Sequence, residues 1–399
     1  MATPIQSTGP TSAQSTPPSS TAARPGQVPR GTKPAQRLVA AGARLVFDER
    51  FRGARGGRSV LEHVDWEASA GLRRRLDGAG YALAEGLDLA QRVAQGWPVV
   101  ERLLAEHAQW KLAHGFLCGA AADHLPHGPT IQELIEGIAF QANAIEEKGG
   151  VPVILPMTLL ARRRATEGEY VQVYRSILER VHGPVLIDWI GPRYSPLLSG
   201  YFPGKSFERV LELDPAKVRG ARLAWLDASL VARLRRELLT RDQLVFTGDD
   251  PLFARWLLGG NPGSAPTTAV PAPRATELAG RQVALGEFSH GILGLAEILG
   301  APARSALAKL DTGDVAGYLA AVEPLEVFTR WLLRHPTHLE AHGAQLAWAE
   351  GRQENAYVAD HGELALDADE RRELFERARA AGVLENAARA GERLTGPTA

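Results

Sequence analysis

VLIDWIG, from Val185 to Gly191, is a short apolar run that ends in polar residues. The same form recurs at GARLAW, Gly220 to Trp225, and at LVFTGDD, Leu244 to Asp250. Each run is β-branched or aromatic and is followed by a helical pattern. Strands that alternate with helices imply parallel βαβ units. In a closed parallel barrel, chemistry is assembled where strands pass into the following loops. That rule places Asp188, Arg222, Asp249 and Asp250 near one rim.

Counted outward from these three runs, eight strands are predicted: Arg44–Asp48, Tyr81–Glu85, Gly115–Gly119, Val151–Leu155, Val185–Trp189, Ala221–Trp225, Leu244–Thr247 and Val283–Gly286. Apolar residues at i, i+3, i+4 predict helices over Trp66–Asp77, Leu89–Ala108, Thr130–Lys148, Glu167–Val181 and Leu230–Leu239. Thr130 followed by Glu133 is a capping-box pattern. SHGILGLAEIL, Ser289 to Leu299, reads as a helix, and further helical stretches follow to Ala381. The expected fold is an α/β (β/α)8 TIM barrel with a C-terminal helical extension. Residues 1–36, rich in Ser, Thr, Pro and Gln, read as a disordered tail, 37–300 as the barrel, and 301–395 as helices packed on it. The Pro- and Ala-rich stretch Gly259–Glu277 follows a predicted helix, so it is expected on the face away from the chemistry.

The chain of 399 residues suits a barrel with additions. A formal net charge of −1 provides no field for nucleic acid or acidic lipid. A single cysteine, Cys118, excludes an intramolecular disulfide and a multi-cysteine zinc site. No apolar run of transmembrane length and no secretory leader pattern is present, so a cytoplasmic protein is expected. Neither a phosphate loop nor a Gly-x-Ser-x-Gly elbow occurs.

Arg222 is the most informative single residue. Arginine is always charged, and its planar fork grips a carboxylate or phosphate in two places. Facing inward, it needs a counter-charge or an anionic ligand. Asp188, one strand away, is the natural partner. Three readings remain open: a buried structural ion pair, an anion-holding arginine beside a carboxylate base, or an arginine turned outward by a one-residue change in the alternation phase. Asp249 and Asp250 have capping of the next helix, whose first turn would include Pro251, as the first reading and a polar site as the second. Glu85, Asp88, Asp123, His124 and His290 all fall near predicted strand ends and are candidate substrate-binding groups. Carboxylates with a histidine suit acid–base work or a divalent ion. No HExxH or His-x-His supports a metal, so neither metal nor cofactor is expected.

The order of these motifs resembles the dihydrodipicolinate synthase/N-acetylneuraminate lyase superfamily of aldolase-type barrels, closest to a branch defined as a domain of unknown function. The resemblance spans about Arg44 to Leu384 and rests on HVDWEASAGLRRRLDGAGYALAEGLDLAQR (His63–Arg92), CGAAADHL (Cys118–Leu125), PVLIDWIGP (Pro184–Pro192), GARLAWLDASL (Gly220–Leu230), FTGDD (Phe246–Asp250) and LGEFSHGILGLAEIL (Leu285–Leu299). It implies that a lysine on strand six would form a Schiff base with pyruvate and a tyrosine on strand five would relay protons. Here Arg222 and Asp188 stand at those positions, EGLD (Glu85–Asp88) replaces the carboxylate-binding loop, and Arg193 matches a substrate-binding arginine. A Schiff base needs a primary amine that can lose its proton, which arginine cannot do. Lys217, five residues before Arg222, is expected roughly 16 Å away along the strand. The resemblance therefore implies a lyase or aldolase-type enzyme acting on a small keto-acid or sugar-acid anion without an imine, and a homo-oligomer. The alternatives are a non-catalytic ligand-binding barrel and a metal-dependent isomerase or hydrolase.

Overall fold

The computed structural model describes residues 36–51, 60–125, 128–260, 274–359 and 362–396. Apart from Gln36, the N-terminal tail lies outside the described residues. Eight parallel strands close into a barrel: β1 (Val39–Gly42), β2 (Ala82–Glu85), β3 (Phe116–Ala120), β4 (Val151–Ile154), β5 (Val185–Ile190), β6 (Val218–Ala224), β7 (Leu244–Thr247) and, after an antiparallel hairpin of β8 (Arg274–Leu278) and β9 (Arg281–Leu285), the closing strand β10 (His290–Leu293). β10 pairs with β7 on one side and with β1 on the other, which completes the ring. The predicted (β/α)8 barrel is therefore present, with C-terminal helices beyond it.

The first and last predicted strands were misplaced. The segment Arg44–Asp48 is the loop beyond β1, and only Phe47 makes an isolated bridge, to Val64. Val283–Gly286 falls on the hairpin. Ser289–Leu299, expected as one helix, begins as strand β10 and turns helical at Leu295. The other six predicted strands coincide with β2 to β7 to within a few residues. The helices match too: Trp66–Gly78, Leu89–Trp110 with a break at Gly96, Ile131–Glu147, Glu167–Leu178 and Ala228–Thr240. Thr130 accepts from the Glu133 amide while Glu133 reaches back, so the capping box forms.

Alternation along each strand divides the core in two. Ala40, Ala82, Ala84, Leu117, Val151, Val153, Leu186, Leu244, Phe246 and Ile292 fill the barrel interior, while the opposite faces pack against the helices. Leu278, Val283 and Leu285 of the hairpin join the interior cluster, so the hairpin plugs the end at which strands begin. Burial of each such side chain stabilises by about 1.5–3 kcal/mol. Residues 274–277 of the Pro-rich stretch thus lie away from the strand-end face, as expected; 261–273 lie outside the described residues. The opposite end, where strands finish, is partly roofed by Leu339 and Glu340 from the start of helix Leu339–Ala349 and by Pro336 from the 3-10 turn before it. Asn355 donates to the Phe47 carbonyl, and the Ala359 amide donates to Gln91, so this later segment is tied to the barrel loops. No helix among the described residues is long and apolar enough to cross a membrane.

Candidate active site

The strand-end cavity has an empty volume of about 840 Å³, part of it open to solvent, and Arg222, Tyr194, Asp88, Asp249, Trp225 and Glu340 are in its wall. Arg222 is there because β6 alternates. Ala221 and Leu223 pack toward the helices, whereas Arg222 and Ala224 line the cavity. Asp188 and Arg222 are paired in register on adjacent strands, and Arg222 in turn pairs with Phe246. Glycine at 248 makes room for the guanidinium: a Cβ there would lie 3.1 Å from Arg222 Nε and 2.8 Å from the Ala224 Cβ.

The pair is loosely bonded. Arg222 Nη1 donates to the Leu87 carbonyl at 3.3 Å and to Asp188 Oδ2 at 3.5 Å, the limit of a useful hydrogen bond. Arg222 Nε and Asp188 Oδ1 are both buried without a hydrogen-bond partner among the described residues. Asp188 has no exposed surface, and this burial pushes its carboxyl up to about 6 although Arg222 pulls it down. Such orphaned groups are costly in a core, so the guanidinium is held with donor capacity to spare beside the cavity.

Asp249 accepts the Gly294 and Leu295 amides at 3.0 and 2.9 Å, which caps the helix that starts after β10. Burial raises its carboxyl to about 6; the two amides and Arg222 lower it, and Asp88 raises it further. Asp250 accepts from the Trp225 amide at 3.0 Å and from Leu252 at 2.8 Å, locking the β6 and β7 loops together. Trp225 sits at φ 57, a left-handed conformation unusual for a bulky residue. The expected capping of the next helix is not made: Phe253–Leu258 has no side-chain cap bond, and Asp249 instead binds the start of the distant helix after β10 while also facing the cavity. Asp88 accepts the Gln91 amide at 2.9 Å at the start of the next helix and lies in the same wall.

Of the remaining candidates only Glu85 contributes to the cavity wall. Glu85 is bound at two points by Arg73, at 2.8 and 2.7 Å, and by His107 Nε2 at 2.9 Å. Burial favours its protonation, but Arg73 and His107 outweigh that and hold it at about 2. Arg73 also donates to the Ala43, Arg44 and Ser69 carbonyls, so this cluster fixes the first two strand ends. Asp123 receives two bonds from Arg92 and one from Gln141, and His124 meets Gln141 and the rings of Trp97 and Phe140, away from the cavity. Arg193 is exposed, with its guanidinium 5.7 Å from the Trp225 ring centre. His290 begins β10 and therefore lies at the opposite end of the barrel. There its Nδ1 accepts the Leu38 amide, and burial lowers its pKa to about 3. Glu85 and Asp249 share the cavity wall while Asp123, His124 and His290 lie elsewhere, and among the described residues no trio of His, Cys, Asp or Glu is placed to hold an ion.

Sequence reasoning passed over Tyr194, Arg73, His107 and Glu340. Tyr194 stands beside Arg193 in the same loop, and its phenol lines the cavity; burial and nearby Asp88 push its ionisation upward, so it stays neutral. Lys217 lies before β6 and donates to the Leu178 and Val181 carbonyls at 2.7 and 2.9 Å, and among the described residues no lysine lines the cavity.

A family model described as "Protein of unknown function (DUF993)" matches residues 10–397. The chain belongs to that family. No curated protein matches it. Among solved structures, dihydrodipicolinate synthase from Aquifex aeolicus superimposes with a TM-score of 0.61 at 11% identity, covering 88% of this chain and 99% of that one. Dihydrodipicolinate synthase from Oceanobacillus iheyensis gives 0.58 at 14% identity, covering 87% and 97%. N-acetylneuraminate lyase from Fusobacterium nucleatum gives 0.56 at 13% identity, covering 88% and 99%. This DUF993 protein thus has the aldolase-type barrel of the dihydrodipicolinate synthase and N-acetylneuraminate lyase structures.

Proposed function

We propose that the protein is a lyase-type enzyme acting on a small keto-acid or sugar-acid anion, and that it works without a covalent imine. The observation that carries this reading is Arg222. It is a buried guanidinium in the cavity wall, with Nε unbonded and only a stretched contact to its carboxylate neighbour. Such a group suits the carboxylate of a keto acid, or the oxygen of the enolate formed from it.

The proton-accepting role divides between two aspartates. Asp188 has the raised carboxyl of a base but no surface of its own toward the cavity, so it acts by holding and tuning Arg222. Asp249 lines the cavity with its carboxyl at about 6, near the working range of a general base. In the proposed step Asp249 takes a proton from the carbon next to the substrate carbonyl. The electron pair moves onto the carbonyl oxygen, and Arg222 stabilises the charge that develops there.

The test is exchange of solvent deuterium into a panel of small keto acids, followed by proton NMR, with Arg222→Met and Asp249→Asn alongside. Exchange by the wild type that is lost in both variants is expected. Borohydride added with pyruvate should leave no adduct; a trapped adduct overturns the imine-free reading. Binding that depends on Arg222 with no exchange or cleavage anywhere in the panel transfers the protein to the ligand-binding alternative.

A further inference from the structure

Three histidines stand on the stretch that roofs the cavity, and the proposed chemistry uses none of them. They run from solvent to core: His335 is exposed, His338 is half-buried and His342 is 5% exposed. The rings of His335 and His338 are stacked with centroids 5.3 Å apart, and those of His338 and His342 are 6.4 Å apart. His342 in turn meets the Trp331 ring at 5.2 Å. Its Nδ1 is buried without a hydrogen-bond partner among the described residues. Pro336, Leu339 and Glu340, the roof itself, are interleaved with these imidazoles. Roof and wall are in close contact: a Cβ on Gly294 would meet Leu339 Cδ2 at 3.2 Å and Asp249 Oδ2 at 3.0 Å, so the leucine and the aspartate flank one glycine.

The charged groups around the run do little to stabilise a proton on His342. Arg334, just before the run, lies 4.6 Å from the Trp331 ring centre. Glu373, from helix Ala368–Ala380, is bonded by Arg377 at 2.7 Å and faces Arg334 at 3.7 Å. Glu297, from helix Leu295–Asp311, approaches Gly343 but is paired with Arg44 at 3.1 Å. Arg393, from helix Ala387–Thr395, donates to the Trp348 carbonyl at the far end of helix Leu339–Ala349. Glu340, on that helix itself, is in the cavity wall. Burial, followed by the charges of His338, His335 and Arg334, lowers His342 to about 4. His338 is the N-cap residue of helix Leu339–Ala349, where positive charge opposes the helix dipole.

We propose that this histidine run is a pH-operated latch on the cavity: neutral, it packs and holds Leu339 and Glu340 over the strand ends, and protonated, it repels itself and releases that segment, so that the cavity opens in mild acid. Histidine is the side chain whose charge changes in that range. Freed into water, it titrates at about 6.5, whereas in the closed roof His342 titrates at about 4. The open state therefore binds the proton more tightly. Closure is at full strength above pH ~6.5 and weakens as pH falls toward ~4. Between pH 7.5 and 5 the linkage of His342 amounts to about 30-fold in the ratio of closed to open. The latch rests on the reading of this cavity as the substrate site, but its test needs no substrate, so the two fail separately.

The experiment is hydrogen–deuterium exchange of the full chain at pH 7.5 and pH 5, read by mass spectrometry after correction for the intrinsic rate at each pH. Peptides covering residues 336–346 should lose about tenfold or more of their protection at pH 5, while those covering β5 and β6 keep theirs. His342→Gln should abolish the loss. Opening of the cavity itself is read by acrylamide quenching of Trp225, taken as the difference between each protein and its Trp225→Phe counterpart. Quenching should rise at pH 5 in the wild type and stay level in His342→Gln. If His342→Gln does not fold, the NMR titration of the His342 ring in the wild type decides: a midpoint well below 6.5 supports the latch, and one at or above 6.5 refutes it. Unchanged protection at pH 5, a loss shared equally by β5 and β6, a loss that persists in His342→Gln, or level quenching of Trp225 in the wild type would each overturn the proposal.

Discussion

Replacement of Asp188 by asparagine isolates the cost of a carboxylate buried beside Arg222. In the unfolded chain an aspartate titrates at about 3.9, whereas burial moves Asp188 to about 6 in the folded protein. The folded state therefore holds the proton more tightly. The contribution of this group to stability is complete below pH ~3.9 and is lost as pH rises through ~6. The gap corresponds to about 2–3 kcal/mol by neutral pH. An asparagine side chain cannot ionise, so Asp188→Asn escapes that loss. The attraction between the ionised carboxylate and Arg222 is already contained in the shifted value, so exchanging the neutral carboxyl for an amide adds only a constant offset. Urea unfolding of wild type and variant in parallel at pH 4, 5, 6 and 7 reads the difference directly, because every other titrating group is common to both. The stability difference should move in favour of Asp188→Asn by about 2–3 kcal/mol between pH 4 and 7, with most of the change complete by pH 6. Parallel curves, or a drift in the opposite direction, would mean that Arg222 compensates Asp188 fully, and the loosely bonded pair described above would be wrong.

Three other substitutions test separate parts of the site. Arg73→Met strands the Glu85 carboxylate in the core and should cost about 3–5 kcal/mol in denaturant unfolding. Gly248→Ala puts a methyl within 3.1 Å of Arg222 Nε and should weaken binding of a small keto acid by about tenfold or more, about 1.4 kcal/mol, measured calorimetrically. Asp249→Ala removes the side chain that caps helix Leu295–Asp311 and should lower stability by about 1 kcal/mol; an unchanged unfolding midpoint would show that the two amide contacts contribute nothing.

The parts of the fold that the sequence revealed are those with a local cause. β5, β6 and β7 are continuous apolar runs with a helix after each, and their alternation alone put Asp188 and Arg222 on one face. β1 left no such trace. VAAG turns Ala40 and Gly42 to the axis, where the crowded interior accepts only small side chains: a Cβ on Gly42 would come within 2.9 Å of the Gly294 Cα. Small residues carry little β signal. β10 was hidden for another reason. Ile292, Leu293, Leu295, Ala296 and Leu299 fit helical spacing when read together, and nothing local marks the strand-to-helix change at Gly294. His290 was then assigned to the wrong end of the barrel, because the strand it starts was taken to have already finished. The site's supporting groups depend on contacts between distant segments. Glu85 looked available until Arg73 and His107 came down from two helices, and Glu340 reaches the cavity from a region whose only sequence signal was helical periodicity.

The late arrival of β10 also bears on how the chain is made. β1 leaves the ribosome about 250 residues before the strand that must lie beside it. Over that interval one flank of β1 and one flank of β7 carry idle amides and carbonyls, the kind of border that recruits other chains. Once made, the β8–β9 hairpin can occupy the base of the unfinished ring through Leu278, Val283 and Leu285. A nascent chain halted before Leu293 should therefore be far more prone to clumping than one halted after it.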